Sequence, residues 1–459
     1  MVLAISEFIG NSMLGDLRNI IPQKNDFRYR IEDFGYTIFD IETLKVILIN
    51  NIGFKLLNKI DGKKQLKSIL LELSKETRVP YALLVPMALN YLSFMSKTGL
   101  VKLNGSIDYK FKEHYSISPV LRGPNQISWL ITNNCNLRCS HCGNTSRAKL
   151  KNEMTKEECF RFIDDCARLK VFVINISGGE PFLKKDWFEI LSYARKKGIE
   201  IGITTNGTLI NEDIVKKLKK LETFNVHISL DGIGKVHDEF RNKKGVYKSV
   251  LKTINLFKKY KIPFGLTTSI TKKNFNDLDN VKNFIKKNRI NSWNLYYALP
   301  VGCLSKADSI SQEEFYEFGK KIAKYREELK EITNISVGDS MGYYGSLNLR
   351  DSFWTGCGAG LSGCSVDAEG NLKGCPIQND KFVEGNIRKT PLKELWLKKG
   401  AFSYNREPKK LVKHCKSCKY AVYCRGGCKS SMDSNGTDFR YNDYCIYHIE
   451  KTKKFARIN

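Results

Sequence analysis

No stretch of this 459-residue chain combines the length and apolarity of a bilayer-spanning helix, which needs about 20 predominantly apolar residues. The first ten residues, Met1–Gly10, have no basic n-region and contain Glu7, so no secretory signal is expected. Acidic side chains are scarce beside basic ones: 48 Asp and Glu stand against 76 Lys and Arg, a formal net charge of +28. Such an excess permits nucleic-acid or acidic-substrate binding. The lysines, however, fall on amphipathic stretches such as Lys216-Lys217-Leu218-Lys219-Lys220, as on a solvated surface, which argues against a specific nucleic-acid site. Apolar residues are not scarce. At 42% they exclude a disordered chain, and the length leaves room for roughly two to four domains. Fourteen cysteines without an export signal predict reduced thiols in a cytoplasmic protein, available to metal rather than to disulfides and with no membrane partner.

Three of those cysteines crowd into eight residues, Cys135-Asn136-Leu137-Arg138-Cys139-Ser140-His141-Cys142. A CxxxCxxC loop supplies three thiolates, whereas a cubane iron–sulfur cluster has four irons, so one iron stays open to a ligand. Zinc or disulfide use of the same cysteines is the alternative. Gln126–Thr132 before the loop has the pattern of a buried strand, and Thr155-Lys156-Glu157-Glu158 after it forms a capping box opening a helix to about Lys170. The triplet therefore lies on a βα loop.

From residue 126 to about 330, short apolar runs alternate with amphipathic stretches. Strands are expected at 127–131, 171–177, 199–205, 224–229, 264–270 and 293–298. Helices are expected to begin near Thr155, Asp186, Asn211, Val246, Asn276 and Ser311. Six βα repeats predict an α/β fold, a partial (β/α)6 TIM-like barrel with its site on the loops after the strands; a doubly wound open sheet is the alternative. Those loops carry Gly178-Gly179-Glu180-Pro181, then Thr204-Thr205-Asn206-Gly207, then Ser229 with Asp231-Gly232 and Arg241. Two glycines allow close backbone approach to a ligand, Glu180 can accept from an ammonium group, and the planar fork of Arg241 suits a carboxylate.

The cluster loop, with His141 before its last cysteine, together with GGEP forty residues on, resembles the radical S-adenosylmethionine (SAM) enzymes. The resemblance implies that Cys135, Cys139 and Cys142 ligate a catalytic [4Fe-4S] cluster. It implies that His141, Gly178, Gly179, Glu180, Thr205, Asn206, Ser229 and Arg241 surround SAM. A 5′-deoxyadenosyl radical would then abstract hydrogen from the substrate.

A second array follows: Cys357, Cys364, Gly370 and Cys375, then Cys415-xx-Cys418-x5-Cys424-x3-Cys428, and finally Cys445. A lone CxxC would suggest zinc; this spacing instead resembles the SPASM extension with two auxiliary [4Fe-4S] clusters. Carried over, Cys357, Cys364, Cys375 and Cys428 hold the nearer cluster, and Cys415, Cys418, Cys424 and Cys445 the farther one. Cys364 sits in a Gly-rich turn that could bend around a cluster; without it, one iron would be open. Cys159 and Cys166 are expected as core residues and Cys303 as a buried bystander, although its place after the sixth strand could also turn it to the cavity.

The chain before the barrel differs in texture. Residues 27–31 and 36–40 are strand-like, 42–58, 64–76 and 82–97 helical, and Gly99-Leu100-Val101-Lys102-Leu103 a terminal wing. This winged-helix-like module, residues 26–103 after an extension 1–25, resembles the PqqD-like elements that bind leader peptides. A plain packing module or a DNA-reading winged helix are its alternatives. Residues 104–124 are expected to be a linker, 125–335 the barrel and 336–459 the cysteine-rich iron–sulfur domain.

Together the resemblances imply a maturase acting on a ribosomally synthesised precursor peptide by oxidative thioether or carbon–carbon cross-linking, with an external one-electron donor such as flavodoxin or ferredoxin. Competing readings are a peptide decarboxylase or epimerase, a quinone-cofactor or haem-pathway enzyme, a sulfatase maturase, and a DNA-binding iron–sulfur regulator. Sulfatase maturases carry aspartate where Pro376 stands here, which counts against that activity. No general base is evident.

Overall fold

A computed structural model describes residues 20–104, 120–146, 150–338, 340, 341, 345–347, 349, 356–407 and 409–456. The Met1–Gly10 segment lies outside them. Two units divide the chain, Met1–His114 and Tyr115–Asn459.

In the first unit β1 (Pro22–Lys24) pairs antiparallel with β5 (Val101–Leu103), so part of the expected extension belongs to the fold. A three-stranded antiparallel sheet runs in the order β2 (Phe27–Glu32), β3 (Gly35–Asp40), β4 (Val46–Ile49). The helix expected over 42–58 is thereby corrected. Val46-Ile47-Leu48-Ile49, with β-branched side chains at three of its four positions, pairs with β3, and the helix α1 (Asn51–Lys59) starts only after Asn50, whose side chain accepts from Gly53 N. Helices α2 (Leu66–Thr77) and α3 (Tyr81–Thr98) complete the unit. The uncharged stretch Val79–Ser96 forms most of α3, with Leu84, Leu89, Leu92 and Met95 buried in this unit's own core. No single helix among the described residues is long and apolar enough to cross a membrane.

The second unit is built on one ten-stranded sheet. Its parallel strands are β6 (Gln126–Thr132), β7 (Val173–Gly178), β8 (Glu200–Thr205), β9 (Asn225–Ser229), β10 (Phe264–Ile270), β11 (Ser292–Tyr297) and β12 (Asn334–Val337). They lie side by side in chain order, which a doubly wound sheet, with its reversal of order, does not give. The intervening helices are α4 (Lys156–Arg168), α5 (Trp187–Lys196), α6 (Glu212–Leu221), α7 (Lys235–Phe240), α8 (Val246–Tyr260), α9 (Leu278–Asn288) and α10 (Gln312–Leu329). Capping boxes open α4 at Thr155 and α10 at Ser311. On the far side of β6 the sheet continues through β13 (Gly363–Val366), β14 (Asn371–Lys373) and β15 (Gly385–Asn386), so it is not closed between β12 and β15 among the described residues. The cysteine-rich region thus extends the barrel's own sheet. Leu121, placed in the expected linker, is buried and its carbonyl accepts from Trp396 Nε1 at 2.6 Å; residues 105–119 lie outside the described set.

Strand alternation assigns the two faces. Ile127, Trp129, Ile176, Ile203, Ile228 and Leu266 join one apolar core that also takes in Cys159, Phe162, Ile163 and Cys166 of α4. The opposite face is polar: Ser128 pairs with Asn175, Thr204 with His227, and Thr267 with both Ser229 and Asn294. A barrel filled only for stability carries branched apolar side chains there.

Candidate active site

The cysteine triplet leaves the end of β6, where the chain must be pinned if three sulfurs are to converge. Glu153 does part of this: Thr132 Oγ1 donates to its carboxylate at 3.0 Å and Asn133 N at 2.8 Å, with Lys184 Nζ 3.9 Å away. Beyond that point Gly179 N donates to Thr132 O (2.7 Å) and Glu180 N to Asn134 O (2.8 Å). This contact explains both glycines. A Cβ at Gly178 would lie 2.3 Å from Thr132 O and one at Gly179 would lie 2.0 Å from Asn134 O. What these glycines approach closely is the backbone leading into the cysteine loop.

Glu180 is wholly buried. Its carboxylate accepts from Thr205 Oγ1 at 2.7 Å and Asn206 N at 2.9 Å, and burial raises it to about 7 despite these bonds. It therefore clasps the turn after β8. The same turn reaches back to the loop: Asn206 Nδ2 donates to Asn136 Oδ1 (2.9 Å), and Asn136 Nδ2 to Thr208 Oγ1 (2.7 Å).

Arg241 was expected to face a carboxylate ligand; its partner is internal. Nε donates to Asp231 Oδ2 at 2.7 Å, Nη2 lies 2.5 Å from the same oxygen, and Nη1 is 3.8 Å from Cys139 Sγ. Burial works against the guanidinium, but Asp231 and Cys139 outweigh it and hold Arg241 protonated. Asp231 is fixed in turn by Ser269 N, and His237 Nδ1 accepts from Asp231 N. Ser229, at the end of β9, is buried two residues before Asp231. His141 stacks on Phe240 with ring centroids 4.0 Å apart, and burial followed by the Arg241 charge keeps it neutral. The loop after β11 closes the opposite side: Cys303 N donates to Cys142 O at 2.9 Å, and Gly302 packs against Cys142 and Gly143 carbonyls. Cys303 itself is half-buried instead of buried.

Burial raises the Cys135 and Cys139 thiols. Cys135 also feels Cys139 and Cys142, and Cys139 feels Cys142, so the three sulfurs are near neighbours. A triplet of soft donors converging beside a fixed arginine fits a thiolate-ligated iron–sulfur cluster.

The C-terminal cysteines form two groups. Cys415, Cys418, Cys424 and Cys445 line one cavity together with His414 and His448. The Cys424 thiol is raised by burial and then by Cys445, Cys415 and Cys418. Four sulfurs around one cavity match a four-thiolate cluster. Cys357 and Cys375 both act on Tyr404, and Cys357 and Cys428 both act on Lys429, as Cys424 does too; Cys357, Cys375 and Cys428 make a second group with Cys424 at its border. Cys364 does not join it. On β13 beside Ile127, it lies in the apolar core with Val366, and its neighbours are Cys166 and Arg406. Cys364 shares the strand face of Val366, turned to the helix layer. Cys159 and Cys166 are fully buried in that layer.

Sequence reasoning singled out no role for Glu153, Asn136, Asp231 or Lys429. Asp231 carried a readable signal, an acidic residue at a strand's carboxyl end ten residues before Arg241; the others did not.

Residues 129–285 match the Radical SAM superfamily, and residues 357–419 match SPASM, an iron–sulfur cluster-binding domain. The Fe-coproporphyrin III synthase of Methanosarcina barkeri is 30% identical over 331 residues, 65% of this chain and 82% of that protein. The mycofactocin maturase MftC of Mycobacterium ulcerans is 27% identical over 321 residues, 69% of this chain and 86% of that protein. Among solved structures, Streptococcus suis SuiB bound to its precursor peptide SuiA has a TM-score of 0.66 at 15% identity, covering 92% of this chain and 98% of that one.

Proposed function

Because the chain belongs to the radical SAM superfamily and continues into a SPASM iron–sulfur domain, we propose that it is a maturase of a ribosomally made precursor peptide. Radical SAM enzymes use SAM and [4Fe-4S] clusters, which supply reductive cleavage of SAM, hydrogen abstraction and an acceptor for the electron left over. On this reading Cys135, Cys139 and Cys142 hold the catalytic cluster. Asp231 and Arg241 steady Cys139, and the Glu180–Thr205–Asn206 clasp sets the turn beside it. Glu180, Ser229 and Asn206 would hold the amino-acid end of SAM. The polar row of Asn175, His227, Thr267 and Asn294 receives the peptide. Cys415, Cys418, Cys424 and Cys445 hold one auxiliary cluster, and Cys357, Cys375 and Cys428 another.

The observation that carries the peptide reading is the first unit. Its three-stranded sheet has β2 at one end, with Tyr29 and Ile31 exposed. A PqqD-like module would capture a leader by adding it to such an edge, through backbone bonds more than particular side chains. The reaction is an oxidative cross-link, thioether or carbon–carbon, that leaves the peptide two hydrogens lighter, with flavodoxin or ferredoxin as electron donor. Mass spectrometry after anaerobic incubation of peptide, SAM and reductant tests it; an unchanged mass, or a product retaining both hydrogens at the attacked carbon, refutes it. The 30% identity to a haem-pathway synthase favours a second reading, a porphyrin substrate. Conversion of an iron porphyrin, with no dependence on residues 20–104, would select it.

A further inference from the structure

A cavity of about 500 Å³ separates the catalytic cysteine loop from the segment after Cys375. Thr132 and Asn133, which lead into the loop, Gly143 and Asn144, which leave it, and Pro376 and Gln378 all line it. Thr132 alternates along β6 with Trp129 and Ile131 of the apolar layer, so the cavity lies on the polar face of the sheet. Gln378 is 4% exposed, and its Oε1 accepts from Cys375 N at 2.9 Å and from Tyr404 Oη at 3.1 Å. A backbone N–H can only donate, so this contact fixes the oxygen end of the amide. The other end, Nε2, is buried and meets no acceptor among the described residues; Asn144 Oδ1, on the same cavity, is buried without a donor. A buried donor left unmade is unfavourable, and a carbonyl oxygen in the cavity would satisfy it. The cavity is also acidic, lined by Asp367, Glu369, Asp380 and Asp433 with Lys373. Asp380 is matched by Lys373 Nζ at 3.2 Å, Asp433 by Lys381 Nζ at 2.8 Å, and Asp367 accepts from Asn371 N and Nδ2 at 2.9 and 3.0 Å. Glu369 is half-buried and has no lysine or arginine within ion-pair distance among the described residues.

We propose that Gln378 and Glu369 select the substrate segment held beside the cysteine loop: Gln378 donates its free N–H to a backbone carbonyl of the peptide, and Glu369 pairs with a basic side chain next to it. The inference rests on the reading of the substrate as a peptide. A peptide group supplies the acceptor for Gln378 and an N–H for Asn144 Oδ1, and a lysine or arginine supplies the cation for Glu369. A porphyrin bearing carboxylates offers acceptors too, but the acidic wall repels it. The preference runs against the molecule as a whole, because a chain of net charge +28 draws acidic peptides to its surface.

The experiment uses full-length protein reconstituted anaerobically with iron and sulfide, its iron counted, and capped alanine pentapeptides whose central residue is lysine, alanine or glutamate. Affinities are measured by calorimetry at millimolar peptide. The lysine peptide is expected to bind about tenfold more tightly than the glutamate peptide. Glu369→Gln should abolish that ratio at unchanged iron content. Gln378→Glu keeps the bonds accepted from Cys375 N and Tyr404 and replaces the free donor by an acceptor, so it should weaken binding of the uncharged alanine peptide. Equal affinity for the lysine and glutamate peptides, a lysine preference that survives Glu369→Gln, or no saturable binding overturns the proposal. An alanine peptide bound as tightly by Gln378→Glu as by the parent overturns the amide contact. Should Gln378→Glu fail to retain iron, Glu369→Gln decides alone. The peptide reading fails separately: conversion of an iron porphyrin would remove it even where a lysine preference depends on Glu369, whereas loss of that preference leaves it standing.

Discussion

At the scale of single residues, the site is held by side chains that bind each other. Glu180 shows what that costs. Its carboxyl has moved from the ordinary 4.5 up to about 7 because it is buried, with Thr205 and Asn206 only partly compensating. The unfolded chain releases this proton near 4.5, so above that pH the folded state binds more protons and stability falls as pH rises. The contribution is fully present below 4.5 and lost through 7. Between pH 6 and 8 the loss from this one group is about 1 kcal/mol. Glu180→Gln should remove that segment of the pH dependence, read from urea unfolding at the two pH values; identical slopes in both proteins would show that the group does not titrate there. Cys364 allows a sharper test. As a core residue its change to Ala costs about 1 kcal/mol of stability and leaves iron content and EPR spectra unaltered. Loss of one cluster's worth of iron would instead make it a ligand.

At the scale of elements, alternation made most of the barrel legible. β10 was expected at 264–270 and is observed there, because turn residues bracket a run whose period of two is clear. Helix starts were equally legible at Thr155, Asn211 and Ser311, since each side chain caps the first turn. Thr155→Ala should therefore cost about 1 kcal/mol, measured as a lower thermal midpoint with unchanged far-UV dichroism at 25 °C. Illegible elements had no such period. Val46–Ile49 is apolar throughout and is a strand only because β3 offers a partner. The surroundings of Cys364 were illegible for a related reason: spacing to Cys357 and Cys375 is a property of the chain, whereas the direction of its side chain is fixed by pairing with β6. The cysteine loop, GGEP and the C-terminal array were readable as chemistry. Their fastening by Glu153 on Thr132 depends on a contact across 21 residues that no local pattern announces.

At the scale of the whole molecule, function turns on whether the two units are separable. The first has its own core, in which Leu56, Leu57, Ile69, Leu70, Leu84 and Leu92 are fully buried, and its sheet is complete without strands from the second. The second likewise closes its apolar layer and all three cysteine groups within residues 115–459. Such units fold alone when each buries enough apolar surface. Residues 1–114 should then unfold cooperatively as an isolated fragment and retain leader binding, measured by calorimetry with the leader peptide. Residues 115–459 should keep their iron and release 5′-deoxyadenosine from SAM with a reductant, yet modify the precursor far more slowly unless the leader-bound fragment is supplied in trans. The +28 charge gives this test a control, because nonspecific attraction to an acidic peptide weakens steeply with salt whereas strand addition does not. Leader affinity that collapses at high ionic strength would mean that charge, not the β2 edge, gathers the peptide.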